Sequence, residues 1–361
     1  MSKPIPETQY INVSTREEVI DFMTSTPERN NFWIMLPEDI HEEIIAIYMK
    51  QKILKLTYDR VFKFVFDLNL HPGRLDAFVS QILKREVKII RVLPLERNNY
   101  FRHSKQIYLD ILVEFSDHSQ ANIEMQILGY KFPNTRAAIY SSSLILGQYT
   151  DLCGQYMYAT GISEIDFSDQ SIDYSKIHKV YTIVLMEHST EVFRNVPGHY
   201  LHHSHQAFNT GLEMDMLQEY IFIALDSFHD LVPDPSNELE AWLAFVSART
   251  LTEIDRVILK FPSFQTIKDD VIMYGETQPE EVLRMYLDCL DLFDYNDRLQ
   301  DLKETKAKVE QLEKEVAEKE AALAQKDDAL AQKDNALAQK DDAFAQILSE
   351  NARLKAQLAA K

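Results

Sequence analysis

Apolar and polar positions along this chain follow three different rhythms. In residues 1–50 the pattern is helical but broken. Ser14 with Glu17 reads as a capping box opening a helix through REEVIDFM (16–23), and Pro37 interrupts before EDIHEEIIAIYMK (38–50), a second helix. From 51 to 295 two periods alternate. Runs of strand character lie at 87–93, 107–115, 121–128, 179–186 and 219–225, with helical patterns at 59–67, 73–84, 136–157 and 238–250. Strands and helices mixed in this order predict an α/β body rather than a sandwich or bundle.

The third rhythm is a heptad. Between Glu280 and Lys361 there is neither Gly nor Pro, and ALAQKDD-type segments repeat from Ala322. Leu302, Val309, Val316, Leu323, Leu330, Leu337 and Phe344 recur seven apart, which predicts a long coiled-coil helix over 296–361. With that row at a, the d row reads Leu312, four lysines (319, 326, 333, 340), then Ile347 and Leu354. Lysine at d weakens the seam, so the alternatives are a homo-oligomer, most simply a parallel dimer, and a solitary charged helix.

Within the body, two strand runs carry polar residues where a sheet covered on both faces calls for Val, Ile and Leu. In IYLDILVEF (107–115), Tyr108, Asp110, Leu112 and Glu114 share one face. In ANIEMQIL (121–128), Asn122, Glu124, Gln126 and Leu128 share one. SDHSQ between them is short and polar, so an antiparallel hairpin is the simplest connection. Centred on Asp117, the hairpin sets Asp110 opposite Glu124; centred on His118, it still leaves Asp110, Glu124 and Gln126 on one face. Opposed carboxylates repel unless a cation lies between them or one takes a proton. Oxygen ligands at this spacing suit Mg²⁺, or another divalent cation such as Mn²⁺ or Ca²⁺, with the Met125 carbonyl as a further donor. Such an ion activates water and polarises a phosphodiester. The other reading of the same spacing is an edge strand with a solvated polar face.

Composition narrows the partners. A net charge of −19 argues against broad nucleic-acid binding, yet residues 81–105 hold seven Lys or Arg against two Glu. That window is either a phosphate-contacting surface or an ordinary solvated face. Two cysteines, Cys153 and Cys289, make no disulfide framework, the start MSKPIPETQYINVSTREE carries no signal pattern, and no apolar run is long enough to span a membrane. The expectation is a cytoplasmic protein. His199, His202, His203 and His205 lie close together without cysteines or an HExxH pattern, and read as a loop or strand edge rather than a zinc site.

The ordered set of motifs resembles the PD-(D/E)XK nuclease superfamily, and within it the Rpn family of recombination-promoting nucleases and putative transposases. YDRVFKFVF (58–66) is similar to that family's opening helix, LDI (109–111) to its first catalytic strand, and NIEMQ (122–126) to its second, with Gln126 where the superfamily has Lys. RAAIYSSSLILGQY (136–149), VYTIVLME (180–187), EYIFIALDSFH (219–229) and AWLAF (241–245) resemble later elements. The chain departs from the pattern at Ala224, Asp226 and Ser227, and its first 50 residues have no counterpart.

The resemblance implies a restriction-endonuclease-like mixed sheet flanked by helices over 51–295; the helical extension over 1–50 is read from its own residues. It implies a metal-dependent endonuclease acting on DNA, linked to recombination, element mobility or defence. Asp110, Glu124 and the Met125 carbonyl would hold the metal, with Gln126 and Asp59 completing the catalytic set. Arg136, Lys63, Arg102 and Lys105 would face phosphate. From the residues alone, Asp59 and Lys63 also read as an i,i+4 ion pair, and Arg136 as a salt-bridge former at its helix start. RNA as substrate stays open. The alternative function is a nuclease-like scaffold that assembles partners through its tail without turnover.

Overall fold

A computed structural model of the chain describes residues 15–93, 111–129, 134–160, 172–204, 206–290, 308–309, 311, 314, 316, 319, 326, 333 and 339–355. The chain divides into two compact units, Met1–Leu287 and Asp288–Lys361.

The first unit opens with α1 (Arg16–Thr24), α2 (Pro27–Trp33) and α3 (Glu38–Tyr48). The capping box falls one residue later than the sequence suggested. Thr15 accepts from the Glu18 amide, and the Glu18 carboxylate accepts from the Thr15 amide. Both TxxE and SxxE frames fit the sequence, and the frame used buries Val19 and Met23 completely. These three helices belong to the same unit as the sheet. The Tyr48 hydroxyl donates to the Gly275 carbonyl at 2.6 Å across that junction.

Next come α4 (Asp59–Val65), α5 (Arg74–Leu83), β1 (Ile89–Val92), β2 (Ile111–Phe115), β3 (Gln120–Leu128) and α6 (Asn134–Thr160). They are followed by β4 (Val180–His188), α7 (Glu191–Arg194), β5 (Leu201–His203) and β6 (Gln218–Ala224). The unit continues with α8 (Leu225–Leu231), α9 (Glu238–Ser247), α10 (Leu251–Lys260), α11 (Gln265–Thr277) and a helical stretch from 279. The strands form one mixed sheet in the order β1-β2-β3-β4-β6-β5, bearing out the α/β expectation. β1, β2 and β3 are antiparallel neighbours, β3, β4 and β6 run parallel, and β5 closes the far edge antiparallel to β6. The register of β1 on β2 shifts between Ile89 and Arg91, a bulge that kinks this edge.

Both faces of the sheet are covered, which is why β4 reads as a nearly continuous apolar run. On one face Leu112, Val180, Val184 and Met186 pack under Ala137, Tyr140 and Leu144 of α6. On the other, Phe115 and Tyr181 lie beneath the Arg85 guanidinium that follows α5, at 5.8 and 5.5 Å from the ring centres. Phe66, Phe78, Trp242 and Phe264 meet in an aromatic cluster that joins α4, α5 and α9.

The histidine-rich segment is a strand edge. His203 lies 2.8 Å from Glu219 on β6, the His202 ring packs on Phe193, and His205 is outside the described residues. In the second unit every described residue of 308–355 is helical and exposed.

Candidate active site on the β2–β3 hairpin

The hairpin is set by a tight turn in which the Phe115 amide donates to the Ser119 carbonyl and the His118 amide to that of Phe115. His118 takes the left-handed conformation (φ 63°) that closes it. Asp117 stabilises the turn by accepting from the Ser119 amide and hydroxyl and from Arg85. The strand register follows: Ile111 faces Ile123, Leu112 faces Asn122, Val113 faces Ala121 and Glu114 faces Gln120. Of the two frames the sequence allowed, this is the one centred on Asp117. Asp110 itself, like Arg102 and Lys105, lies outside the described residues.

Glu124 is fully buried on β3, on the face beneath α6. Its two oxygens accept from amides two residues away on the same strand. Asn122 Nδ2 donates to Oε1 at 2.9 Å, and Gln126 Nε2 donates to Oε2 at 3.2 Å. Strand alternation causes the arrangement, since residues i−2, i and i+2 share a face. Met125 between them turns its side chain into the opposite, buried face.

A second carboxylate on the same face has a different environment. Glu114 accepts from Arg91 Nε at 2.8 Å and Nη2 at 2.5 Å, with His118 Nδ1 2.9 Å away. Burial pushes its carboxyl upward, but the hydrogen bonds and charges of His118 and Arg91 outweigh that and hold it below the usual carboxylate range. Arg85 and Arg91 of the basic window are therefore engaged by Asp117 and Glu114 within the hairpin itself.

The remaining candidates form local pairs. Lys63 bridges to Asp59 at 2.8 Å one turn away on α4, the ion pair that the spacing allowed. Arg136 donates through Nε to the Tyr140 hydroxyl at 2.7 Å and lies over that ring. The structure thus joins Glu124 with Gln126, Asp59 with Lys63, and Arg136 with Tyr140.

Asn122 is the residue to which sequence reasoning assigned no role. The available signal was an amide on the same strand face as Glu124. Its Oδ1 is buried without a hydrogen-bond partner among the described residues, as is Oγ1 of Thr182, its register neighbour on β4. Gly129, just past β3, is the other. A Cβ there would meet the His188 carbonyl oxygen and the Met186 sulfur at 2.9 Å, so the ends of β3 and β4 approach closely only because that position has no side chain.

Among the described residues no group of three His, Cys, Asp or Glu side chains is placed to hold a metal ion. The donor chemistry nonetheless fits a hard divalent cation. The Glu124 carboxylate, the Gln126 carbonyl oxygen and the unpartnered Asn122 Oδ1 are all oxygen donors on one strand.

Residues 56–310, more than two thirds of the chain, match the model of the PD-(D/E)XK nuclease family transposases. The chain belongs to this family. Comparison with curated proteins and with solved structures returns no match. Membership in the PD-(D/E)XK nuclease family transposases brings a nuclease- or transposase-like role, and the matched residues take in the whole ordered set of motifs that carried the resemblance. Among the described residues no helix is long and apolar enough to cross a membrane.

Proposed function

We propose that this chain is a divalent-metal-dependent endonuclease that hydrolyses phosphodiester bonds in DNA, in recombination, element mobility or defence within the cytoplasm. The observation that carries it is the hairpin register. Ile111 pairs with Ile123, the neighbour of the buried Glu124, which supports the frame centred on Asp117, the one in which the sequence puts Asp110 opposite Glu124.

In this reading Asp110, Glu124 and the Met125 carbonyl hold Mg²⁺ or a similar cation. When bound, the ion lowers the pKa of a coordinated water and polarises the phosphodiester. The chain's own residues then have distinct tasks. Asn122 and Gln126 fix the rotamer of Glu124 from either side. Gln126, neutral where the superfamily has Lys, orients water through its amide but adds no positive charge beside the leaving oxygen. Arg136, held by Tyr140, presents its guanidinium to phosphate, as do Arg102 and Lys105, while the Asp59–Lys63 pair borders the site.

The heptad segment adds a pairing role. Val309 and Val316 lie seven apart, as do Ile347 and Leu354, the spacing of a seam in a parallel dimer. Two paired chains would present two sites, one for each DNA strand.

A second reading is favoured by the amide pair. The amides of Asn122 and Gln126 each donate to a Glu124 oxygen, and Gln126 is neutral where the superfamily has Lys, as a nuclease-like scaffold that assembles partners without turnover would allow. Supercoiled plasmid incubated with purified protein, with and without Mg²⁺, separates the two. The nuclease reading expects metal-dependent nicking or linearisation that Asp110→Ala and Glu124→Ala each abolish. Uncut DNA and RNA across metals and salt would leave the scaffold. Light scattering of the full chain against a 1–295 truncation tests pairing; a full chain with the mass of one copy would remove it.

A further inference from the structure

One cavity of the first unit takes half its wall from residues that precede the family match. The cavity, about 220 Å³, lies between the C-terminal end of α3 and the side of α11. Ile47 and Leu54 come from before residue 56, and Val271 and Ile272 from within the family's own span. The junction is tight where it must be. Tyr48 donates to the Gly275 carbonyl, and a Cβ at Gly275 would stand 3.3 Å from Leu54 Cδ1, so glycine lets the chain after α3 lie close against α11.

The rim is cationic, in a chain of net charge −19. Lys50, Lys52 and Lys268 border the cavity against one carboxylate, Glu276. Lys50 reaches Glu276 at 3.2 Å and Lys268 reaches Asp255 at 2.6 Å, but Lys50 and Asp255 are largely exposed, and such pairs contribute little net stability. Lys52 has no ion-pair partner among the described residues. Lysine stems of this kind lie along apolar walls and leave their ammonium groups at the mouth.

We propose that this cavity binds a small organic monoanion with an apolar body, a carboxylate on a medium-length acyl chain being the simplest. The acyl part fills the space between α3 and α11, and the carboxylate meets the lysines at the rim. The apolar lining offers no set of polar groups for a sugar or a base, and the volume is below that of a typical site for a drug-sized ligand. Because the ligand touches both walls, it ties the N-terminal helices to the family domain. Binding then stabilises that docking, whatever the hairpin does to DNA.

The test is calorimetry and thermal melting of the full chain with sodium octanoate, alongside octylamine and inorganic phosphate. The expected result is saturable octanoate binding with a Tm that rises with concentration, and no comparable effect of the other two. Lys52→Glu, at an exposed position, should weaken binding at least about tenfold. Ile272→Trp, which fills the cavity, should abolish it. Octylamine binding as well as octanoate would overturn the anionic part, and phosphate doing so would overturn the apolar part. Absence of octanoate binding, or an affinity unchanged in Lys52→Glu, would overturn the site.

Discussion

Asn122 donates to Glu124 Oε1 at 2.9 Å from two positions back on the same strand, with both side chains fully buried. A buried carboxylate that loses a hydrogen-bond donor keeps its desolvation cost. Asn122→Leu should therefore destabilise the protein by about 2 kcal/mol, measured by urea denaturation. Asn122→Asp, which adds a like charge at that distance, should be worse. Equal stability of wild type and Asn122→Leu would remove this hydrogen bond as a structural contributor.

Trp242 lies at the centre of the aromatic cluster, in contact with Phe66, Phe78 and Phe264, yet its Nε1 is buried with no acceptor among the described residues. Trp242→Ala should cost about 3–5 kcal/mol through lost burial and the cavity left behind. Trp242→Phe keeps the ring packing and removes a donor that has no bond to lose. It should cost less than about 1.5 kcal/mol in the same denaturation experiment.

Glu114 makes stability depend on pH. Its folded-state carboxyl is held below the usual range by His118 and Arg91 against the opposing pull of burial. A depressed value stabilises the fold fully above the ordinary carboxylate range, and this contribution is lost as pH falls through the folded value. Melting curves should show stability declining on acidification below about pH 5. Glu114→Gln should start less stable at neutral pH and decline less steeply. Parallel profiles for the two proteins would contradict this assignment.

At Gly129 the constraint is steric. Gly129→Ala forces its methyl against the His188 carbonyl and Met186, a contact that backbone must relieve, and should cost about 1–3 kcal/mol. Gly154 has open space around it, so Gly154→Ala on α6 serves as the control and should be neutral to stabilising.

The sheet was legible because its strands obey simple alternation or continuous burial. β3 and β4 were read to within two residues at each end, and α4, α5, α6 and α9 within three. β5 was not, because three residues pairing at an edge leave no periodicity to detect. α10 and α11 lie outside the elements predicted from the sequence, and local capping helps define the first: Thr250 caps α10 by accepting from the Glu253 amide. At the site, alternation was enough to group Glu124 with Gln126. It did not distinguish an amide that orients a carboxylate from one that orients water, because that depends on a rotamer rather than on spacing.

The two outer strands of the sheet, described above as short and, at β1, kinked, also govern how copies of this chain meet while folding. β5 offers three residues and β1 four, with the β1 ladder shifted after Ile89. An incoming strand needs a long, flat row of free amides and carbonyls to extend a sheet from one molecule into the next. Among the described residues neither rim provides one, so the apolar ladder at the centre of the fold is shielded there from edge-to-edge aggregation by the brevity of its own borders.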